Sequence, residues 1–254
     1  LCILPIFHGF GLGVCIHTTV CIGMRCVLIP SFKFKDMKHL IKTYHPNFLV
    51  GVPTLFETLT NAKEFKKISF KDVKNVISGG DTMSPELKRK VDTFLYERGS
   101  LAKVRVGYGL TESSSACCLS LRDEMREHCI GIPFPDMHFK IVKIGTHEEV
   151  PRGVDGEICI NGPTLMMGYI NEDEETKKTL LIHNDGKTWL HTGDLGFIKD
   201  DGRIYYTSRL KRMIITNGYN IYPIELEEII SKCEYVESCT VVGVTHKIKN
   251  QVPK

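Results

Sequence analysis

Gly107-Tyr108-Gly109-Leu110-Thr111-Glu112 follows a segment, Lys103 to Val106, that is predicted to be a β-strand. In the same way, Ser78-Gly79-Gly80 ends a predicted strand that starts at Val73. Segments with helical spacing lie between such strands, and this alternation is typical of an α/β fold with a mostly parallel, doubly wound sheet. Because ligand sites of these sheets lie at the carboxyl ends of strands, the two glycine-containing loops are predicted to converge on one edge of the sheet.

Helix signals support this fold class. Asp36 to Tyr44 places its apolar residues on one face, and Pro53 to Leu59 has proline at its start. A helix from Ser84 to Arg98 is predicted with Ser84 as N-cap and proline in the first position, and Gly99 is predicted to end it.

Composition limits the function classes. The chain has 254 residues, 42% hydrophobic and 25% charged, which is ordinary for a soluble protein with one large or two modest domains. The net charge is +3, and positive and negative residues are interspersed along the chain. The sequence has no basic stripe with interleaved aromatics, so it gives no indication of nucleic acid binding. Residues 1–24 carry no Asp, Glu, Lys or Arg, but Pro5, His8 and several glycines interrupt them. A buried strand-turn-helix is therefore predicted there rather than a transmembrane segment.

The ten cysteines form no Cys-x-x-Cys pair and no zinc-type spacing. All ten are interpreted as reduced thiols that act as small buried hydrophobic residues in a cytoplasmic protein.

The sequence changes character twice along the chain. Residues 1–122 are predicted to form the α/β part of a large domain. From about Asp123, short strands separated by turns predict a small β-barrel or β-sandwich subdomain at 123–208, in which Asp200-Asp201-Gly202 is a hairpin turn. Residues 209–254 are predicted to be the first part of a small α+β C-terminal domain. The predicted elements of the last two regions are strands at His138–Ile144, Gly156–Ile160, Trp189–His191, Gly196–Lys199, Arg203–Tyr206, Met213–Thr216 and Cys239–Val244, and helices at Glu172–Leu180 and Pro223–Lys232.

Three further stretches follow the first one in order: Thr192-Gly193-Asp194, Ser208-Arg209-Leu210-Lys211, and Gly218 to Glu227. Together with Gly107–Glu112, they resemble the adenylate-forming superfamily, which includes acyl- and aryl-CoA synthetases, luciferase and the adenylation domains of peptide synthetases. The resemblance runs from Leu4 to the last residue. It implies binding of ATP or AMP with Mg²⁺, and a hinge near 209–211 about which the small domain rotates.

The resemblance assigns the phosphates and the adenine to the first half of the chain. It implies that Thr111 contacts the α-phosphate and that Glu112 helps to hold Mg²⁺. A simpler interpretation is that Thr111 caps a helix with Glu112 in its first turn. Tyr108 is the candidate for stacking on the adenine, unless it is an ordinary core tyrosine. The remaining residues implied at this nucleotide site are Ser78, Gly79, Gly80, Gly107 and Gly109.

The ribose and the hinge are assigned to the second half. Asp194 matches the residue that accepts both ribose hydroxyls, as a carboxylate can. Arg209 would contact ribose and phosphate, and Lys211 matches the hinge. The alternatives are an Asp-containing turn and a solvated basic linker. Ser208 stands where the family usually has Gly or Asp, and His191 is interpreted as structural.

The resemblance also implies an acid pocket and a CoA tunnel. His8 matches a histidine near the reacting carboxylate, although a lone histidine in an apolar run is often a core residue. Phe10 and Val106 would line the acyl pocket. Gly218 and Tyr219 match the loop along the pantetheine tunnel.

The implied function is an ATP-dependent synthetase that activates a fatty or aryl carboxylic acid as acyl-AMP and transfers the acyl group to CoA. Two alternatives remain: an enzyme that loads an amino acid or acyl group onto a carrier protein, and a non-catalytic, truncated nucleotide-binding relative. A homodimer is possible. The chain starts without Met, and the family's phosphate loop and C-terminal catalytic Lys are expected outside residues 1–254. This polypeptide alone is therefore expected to be nearly inactive in adenylation.

Overall fold

The computed structural model describes residues 1–124, 126–217, 219–236, 239–246 and 249–254. These residues pack as two units. The first unit is Leu1–Met137 with Gly162–Ile170, and the second unit is His138–Asn161 with Asn171–Lys254. Gly218, predicted at the pantetheine tunnel, lies outside the described residues. The predicted domain boundaries at 122/123 and 208/209 stay predictions.

The first unit is built on five neighbouring strands. They follow the order β1-β2-β3-β4-β5 in the sheet, with bounds β1 Phe48–Gly51, β2 Asn75–Ser78, β3 Val104–Leu110, β4 Ser115–Leu119 and β5 Cys129–Pro133. β1, β2 and β3 pair in parallel, and β4 and β5 continue the sheet in antiparallel pairing. The α/β class with its parallel core is thus confirmed. The helices that connect these strands supply the crossovers that parallel pairing requires.

The α-helices of the first unit are α1 Thr18–Cys21, α2 Met37–Tyr44, α3 Pro53–Asn61 and α4 Pro85–Tyr96, and Phe10–His17 is a π-helix. The apolar face predicted for α2 is buried. α4 begins as predicted, because the Ser84 hydroxyl accepts a hydrogen bond from the Leu87 N–H at 3.2 Å. Gly99, with φ of +84°, follows the helix in the left-handed conformation that glycine adopts without strain.

The second unit contains an antiparallel sheet. Its strands are β6 His138–Val142, β7 Gly156–Asn161, β8 Leu180–Ile182, β9 Thr188–Ile198 and β10 Ile204–Arg209, and α5 spans Asp173–Thr179. The sheet order is β10-β9-β7-β6, and β8 also pairs with β9. In the part of the chain that the structure describes, β6 and β10 do not pair with each other. The sheet is therefore open, and the predicted β-barrel is wrong.

β9 is one strand of 11 residues rather than the two short strands predicted. On one edge it pairs first with β8 and then with β10, and on the other edge it pairs with β7. Asp200-Asp201-Gly202 makes the predicted turn between β9 and β10, with Gly202 at φ of +76°.

A smaller sheet ends the second unit. Its order is β12-β11-β14-β13, with β11 Ile214–Thr216, β12 Tyr219–Ile221, β13 Gly243–His246 and β14 Asn250–Pro253, and α6 spans Pro223–Ile230. The strand predicted to begin at Cys239 begins at Gly243. Before it, the Val241 N–H donates to the Glu227 carboxylate at 2.8 Å. A side chain from α6 thus takes the place of a strand partner.

Among the described residues, no helix combines the length and apolarity needed to cross a membrane.

Burial separates the cysteines into two reactivity classes. Burial raises the pKa of Cys15 and of Cys117 to about 12, and raises that of Cys118 as well. The exposed thiols are those of Cys21, Cys26 and Cys233. We expect iodoacetamide to alkylate the exposed thiols quickly and the buried ones only after unfolding, because the thiolate is the reactive form. Peptide mass spectrometry of native and denatured samples tests this, and fast native labelling of Cys117 would contradict it.

Candidate active site

The stretch from Gly107 to Glu112 begins inside strand β3. β3 runs to Leu110, so the prediction that the strand ends at Val106 is wrong, and Gly107 to Gly109 pair with β4. The pairing needs glycine, because a Cβ on Gly109 would lie 1.8 Å from the Ser115 carbonyl oxygen. The register of the β3–β4 pair shifts between Tyr108 and Gly109, which is a bulge.

Thr111 and Glu112 follow β3 in the 3₁₀ turn Thr111–Ser113, whose N-cap is Leu110. Thr111 therefore does not cap a helix. Its side chain is exposed, and Glu112 is half-buried. The next two residues are serines with positive φ, 60° at Ser114 and 143° at Ser115. Such backbone conformations cost free energy and concentrate at functional sites.

The Ser78–Gly80 loop lies beside this stretch. Ser78 pairs with Val106 in the β2–β3 ladder, so both predicted residues lie on neighbouring strands. A Cβ on Gly79 would be 3.3 Å from the Gly107 carbonyl oxygen and 3.2 Å from the Phe10 ring. The structure thus brings together the predicted adenine loop, the start of the glycine stretch and the predicted acyl-pocket wall.

His8 is exposed and precedes the π-helix, and its Nδ1 accepts a hydrogen bond from the Phe10 N–H at 3.1 Å. It is therefore not a buried core histidine. A Cβ on Gly13 would lie 2.8 Å from the Ser115 Cβ, so the π-helix packs on the residues that follow the Thr111–Ser113 turn.

A second segment of the first unit holds Glu112. The Tyr169 hydroxyl donates to the Glu112 carboxylate at 2.7 Å, and the Met166 N–H donates to the Glu112 carbonyl at 2.8 Å. The Ser114 hydroxyl donates to the Thr164 carbonyl at 2.8 Å. Sequence reasoning missed Tyr169. Its only signal is a tyrosine in a loop rich in Gly and Pro, 57 residues from its partner.

In the second unit, Asp194 lies within β9 and is 1% exposed, so it is not a residue of a surface turn. Arg209 is opposite it on β10, and its Nε lies 3.1 Å from Asp194 Oδ1. The Arg209 side chain is 62% exposed. Burial, with a smaller contribution from Asp194, raises the pKa of Tyr206 to about 12, so this neighbouring phenol stays neutral.

A bulge gives Asp194 its position. Gly193 has φ of +68°, and its N–H donates to Glu157 Oε1 at 3.0 Å. The Thr192 hydroxyl donates to the Ile158 carbonyl at 2.7 Å and accepts from the Asp194 N–H at 3.0 Å. The Thr-Gly-Asp stretch therefore bends the strand without ending it.

Lys211 lies in the 3₁₀ turn Leu210–Arg212 that follows β10, and its side chain is exposed. Tyr219 starts β12 and is also exposed. The predicted hinge residue thus lies two positions beyond Arg209, outside regular strand structure. The predicted site residues fall in both units, with Asp194, Arg209, Lys211 and Tyr219 in the second.

The second unit also contains a cluster that sequence reasoning did not identify, here called the histidine cluster: His147, His183 and His191. His183 Nε2 and His191 Nε2 are 2.9 Å apart, and the rings of His147 and His183 stack with centroids 4.3 Å apart. Burial, followed by the charge of Lys140, lowers the pKa of His183 to about 4.

The known proteins that this chain resembles are enzymes. A family model described as AMP-binding enzyme matches residues 1–170. Luciferin 4-monooxygenase of Nipponoluciola cruciata is 31% identical over 100% of this chain and 44% of its own length. The long-chain-fatty-acid–CoA ligase of Bacillus subtilis is 31% identical over 99% of this chain and 43% of its own length.

Among solved structures, o-succinylbenzoate CoA synthetase from Bacillus subtilis, in complex with the acyl-adenylate intermediate OSB-AMP, superposes with a TM-score of 0.83 at 28% identity. That match covers 98% of this chain and 49% of the synthetase. The chain spans somewhat less than half the length of the curated relatives that it matches.

Proposed function

The chain belongs to the AMP-binding enzyme family, and from this premise we propose that the whole protein is an acyl-CoA synthetase that activates a carboxylic acid with ATP. The similarity to a fatty acid–CoA ligase and to a CoA synthetase with bound acyl-adenylate supports this. The observation that carries the proposal is Asp194, a carboxylate 1% exposed and paired with an arginine that reaches solvent. Burying such a charge costs stability, which a ribose-binding role explains.

In the proposed first step, a carboxylate oxygen of the acid attacks the α-phosphorus of ATP, and the bond to the β-phosphate breaks. Acyl-AMP and pyrophosphate result. Thr111, exposed directly after β3, would donate to the α-phosphate, and the backbone of Ser78 to Gly80 would lie along the adenine. Arg209 would balance charge on ribose and phosphate. His8 would lie near the acid, with Phe10 and Val106 along its chain.

Glu112 fits Mg²⁺ by its chemistry. The ion prefers oxygen ligands and usually takes one or two carboxylates together with water and substrate phosphates. One Glu112 oxygen is fixed by Tyr169, which orients the carboxylate. When bound, Mg²⁺ supplies neutralisation of charge on the phosphates. The two positive-φ serines after Glu112 support a functional role for this turn.

In the proposed second step, the thiolate sulfur of CoA attacks the acyl carbon, and the bond from that carbon to AMP breaks. Rotation of the small domain about Lys211 would let one nucleotide site serve both steps. Lys211 lies in a short exposed turn, where a change of backbone angles disturbs little packing. Gly218 and Tyr219 would line the path of the pantetheine.

ATP–pyrophosphate exchange in the full-length protein, against fatty, aromatic and amino acids, tests the first step. Exchange that depends on one acid class supports adenylation, and formation of its CoA thioester by chromatography supports the synthetase. Exchange followed by acylation of a carrier protein, and not of CoA, would mean that the acyl acceptor is the carrier protein. ATP binding without exchange for any acid would favour a non-catalytic nucleotide-binding protein.

Tyr169 is proposed as a positioning residue for Glu112, and Tyr169→Phe tests it. We expect the exchange rate to fall about ten-fold at low Mg²⁺ and to recover in part at high Mg²⁺. The reason is that a hydrogen bond to a charged group contributes about 1.5–3 kcal/mol, of which water restores a part. Tyr96→Phe, at an exposed tyrosine of α4, is the matched control. A rate that falls equally at all Mg²⁺ concentrations would contradict the positioning role.

A further inference from the structure

We propose that the histidine cluster, His147, His183 and His191, binds a divalent transition metal ion, with Zn²⁺ as the best fit. The site is separate from the Glu112 carboxylate, which suits Mg²⁺. It lies wholly in the second unit, on the turn after β6, the loop between β8 and β9, and β9 itself.

The spacing of the nitrogens carries the proposal. One nitrogen from each ring lies within 4.8 Å of the others, and His183 Nε2 is 2.9 Å from His191 Nε2. Two imidazole nitrogens on a tetrahedral zinc ion, each bonded at about 2.0–2.1 Å, lie roughly 3.3 Å apart. Two of the three ligands are thus nearly in place. His147 is exposed in the turn after β6, so its side chain can make the remaining shift, at most roughly 1.5 Å, without repacking the core.

Glu157 orients His191 for this role. Its Oε2 lies 2.9 Å from His191 Nδ1, and an ionised carboxylate only accepts, so Nδ1 carries the proton. The lone pair of His191 is then on Nε2, which faces His183. A carboxylate on the far nitrogen of a metal-binding histidine fixes the tautomer and raises the basicity of the ligand. Glu157 is itself held by the Gly193 N–H.

His183 provides an independent observation. Its residue is 4% exposed, and among the described residues its Nδ1 has no hydrogen-bond partner. Since His191 Nε2 is an acceptor, His183 Nε2 must donate the proton between the two rings, and Nδ1 is a bare acceptor. A buried polar atom without a partner costs free energy. When His183 Nε2 binds the ion instead, that proton has to move to Nδ1, which no donor occupies in the described structure.

The surroundings select the ion. Three imidazoles suit Zn²⁺, Cu²⁺ or Ni²⁺, whereas Mg²⁺ and Ca²⁺ prefer oxygen ligands. Glu157 contributes a negative charge beside His191. Lys140 is the nearby cation, and Asp185 lies 3.7 Å from its Nζ and offsets its charge. Zn²⁺ with water in the fourth position is consistent with three histidine ligands, one of them exposed.

Calorimetric titration of the untagged full-length protein with Zn²⁺ tests the site. Exposed cysteines are alkylated first, because Cys21 Sγ lies 3.5 Å from His17 Nε2 and this pair competes for zinc. We expect one ion per chain, and His147→Gln should weaken binding at least about ten-fold, since even outer partners of zinc ligands contribute that much. His138→Gln, at an exposed histidine outside the cluster, should bind as the unaltered protein does.

His147 is chosen because it is exposed, so its replacement leaves the core intact, as thermal unfolding of both variants without metal will verify. Cobalt(II) provides a second readout, since sulfur ligation produces charge-transfer absorption that imidazole ligation lacks. No zinc binding by the alkylated protein, or equal affinity of His147→Gln and His138→Gln, would overturn the proposal. Zinc binding is measured without the adenylation reaction. A negative result here would therefore leave the proposed synthetase activity unaffected.

Discussion

Asp194→Ala should weaken ATP binding by about 10²–10⁴-fold, since two hydrogen bonds to a charged group at about 1.5–3 kcal/mol each are lost. The carboxylate is buried inside β9, where water cannot replace it. The Gly193 bulge and the Arg209 pair hold it in one orientation, so no other acceptor takes over the ribose hydroxyls. Isothermal calorimetry with ATP measures the change.

Asp194→Asn separates charge from shape, because the amide keeps one acceptor oxygen of the same size. We expect the ATP affinity of Asp194→Asn to lie between that of the alanine variant and that of the unaltered protein. Asp173→Ala, at the exposed start of α5, is the matched control and should leave ATP affinity unchanged. Full ATP affinity in a folded Asp194→Ala protein would remove this residue from the nucleotide site.

The second large effect is expected at Glu112. Glu112→Gln should lower the rate of ATP–pyrophosphate exchange by about 10²–10³-fold, the size seen when one electrostatic contact to a developing charge is removed. The amide oxygen still accepts from Tyr169, so the side chain keeps its position and loses only its charge. The rate is measured at saturating ATP over a range of Mg²⁺ concentrations.

Glu112→Gln should be more damaging than Tyr169→Phe, because the first removes the ligand charge and the second only its support. Glu174→Gln, at an exposed residue of α5, is the control for a change of net charge. An exchange rate that is unchanged in Glu112→Gln would mean that the carboxylate does not hold the metal.

Local patterns predicted the first unit well. The parallel strands β1 and β2 are short apolar runs bounded by turn residues, and α4 begins after its N-cap Ser84 and ends at Tyr96, three residues before Gly99. These signals are carried by neighbours in sequence, so no distant contact is needed to read them. The same holds for the turn at Gly202.

The glycine-containing stretches were harder to read. Gly107 and Gly109 were interpreted as a loop, since glycine commonly interrupts strands. In the structure both lie in the β3–β4 ladder, and Gly109 allows the β4 backbone to approach closely. Gly193 suggested a break between two strands, but hydrogen bonds donated by Thr192 and Gly193 to β7 residues turn that break into a bulge. Whether a glycine ends a strand or bends it depends on a partner strand that local sequence does not reveal.

Two carboxylate contacts that sequence reasoning missed join distant parts of the chain. Tyr169 meets Glu112 over 57 residues, and His191 meets Glu157 over 34. Nothing in the sequence around either residue indicates its partner. The β-barrel prediction was wrong for the same reason, since closure depends on pairing between β6 and β10, which are distant in sequence.

The path of the chain has a consequence for the order of folding. The segment Gly162–Ile170 belongs to the first unit, although β6 and β7 of the second unit precede it along the chain. Synthesis proceeds from the N-terminus, so Glu112 emerges well before Tyr169. The hydrogen bond between them can form only after β6 and β7 have also been synthesised. Contacts of such long sequence separation form late and slow folding. Refolding should therefore restore the parallel core before it restores the orientation of Glu112.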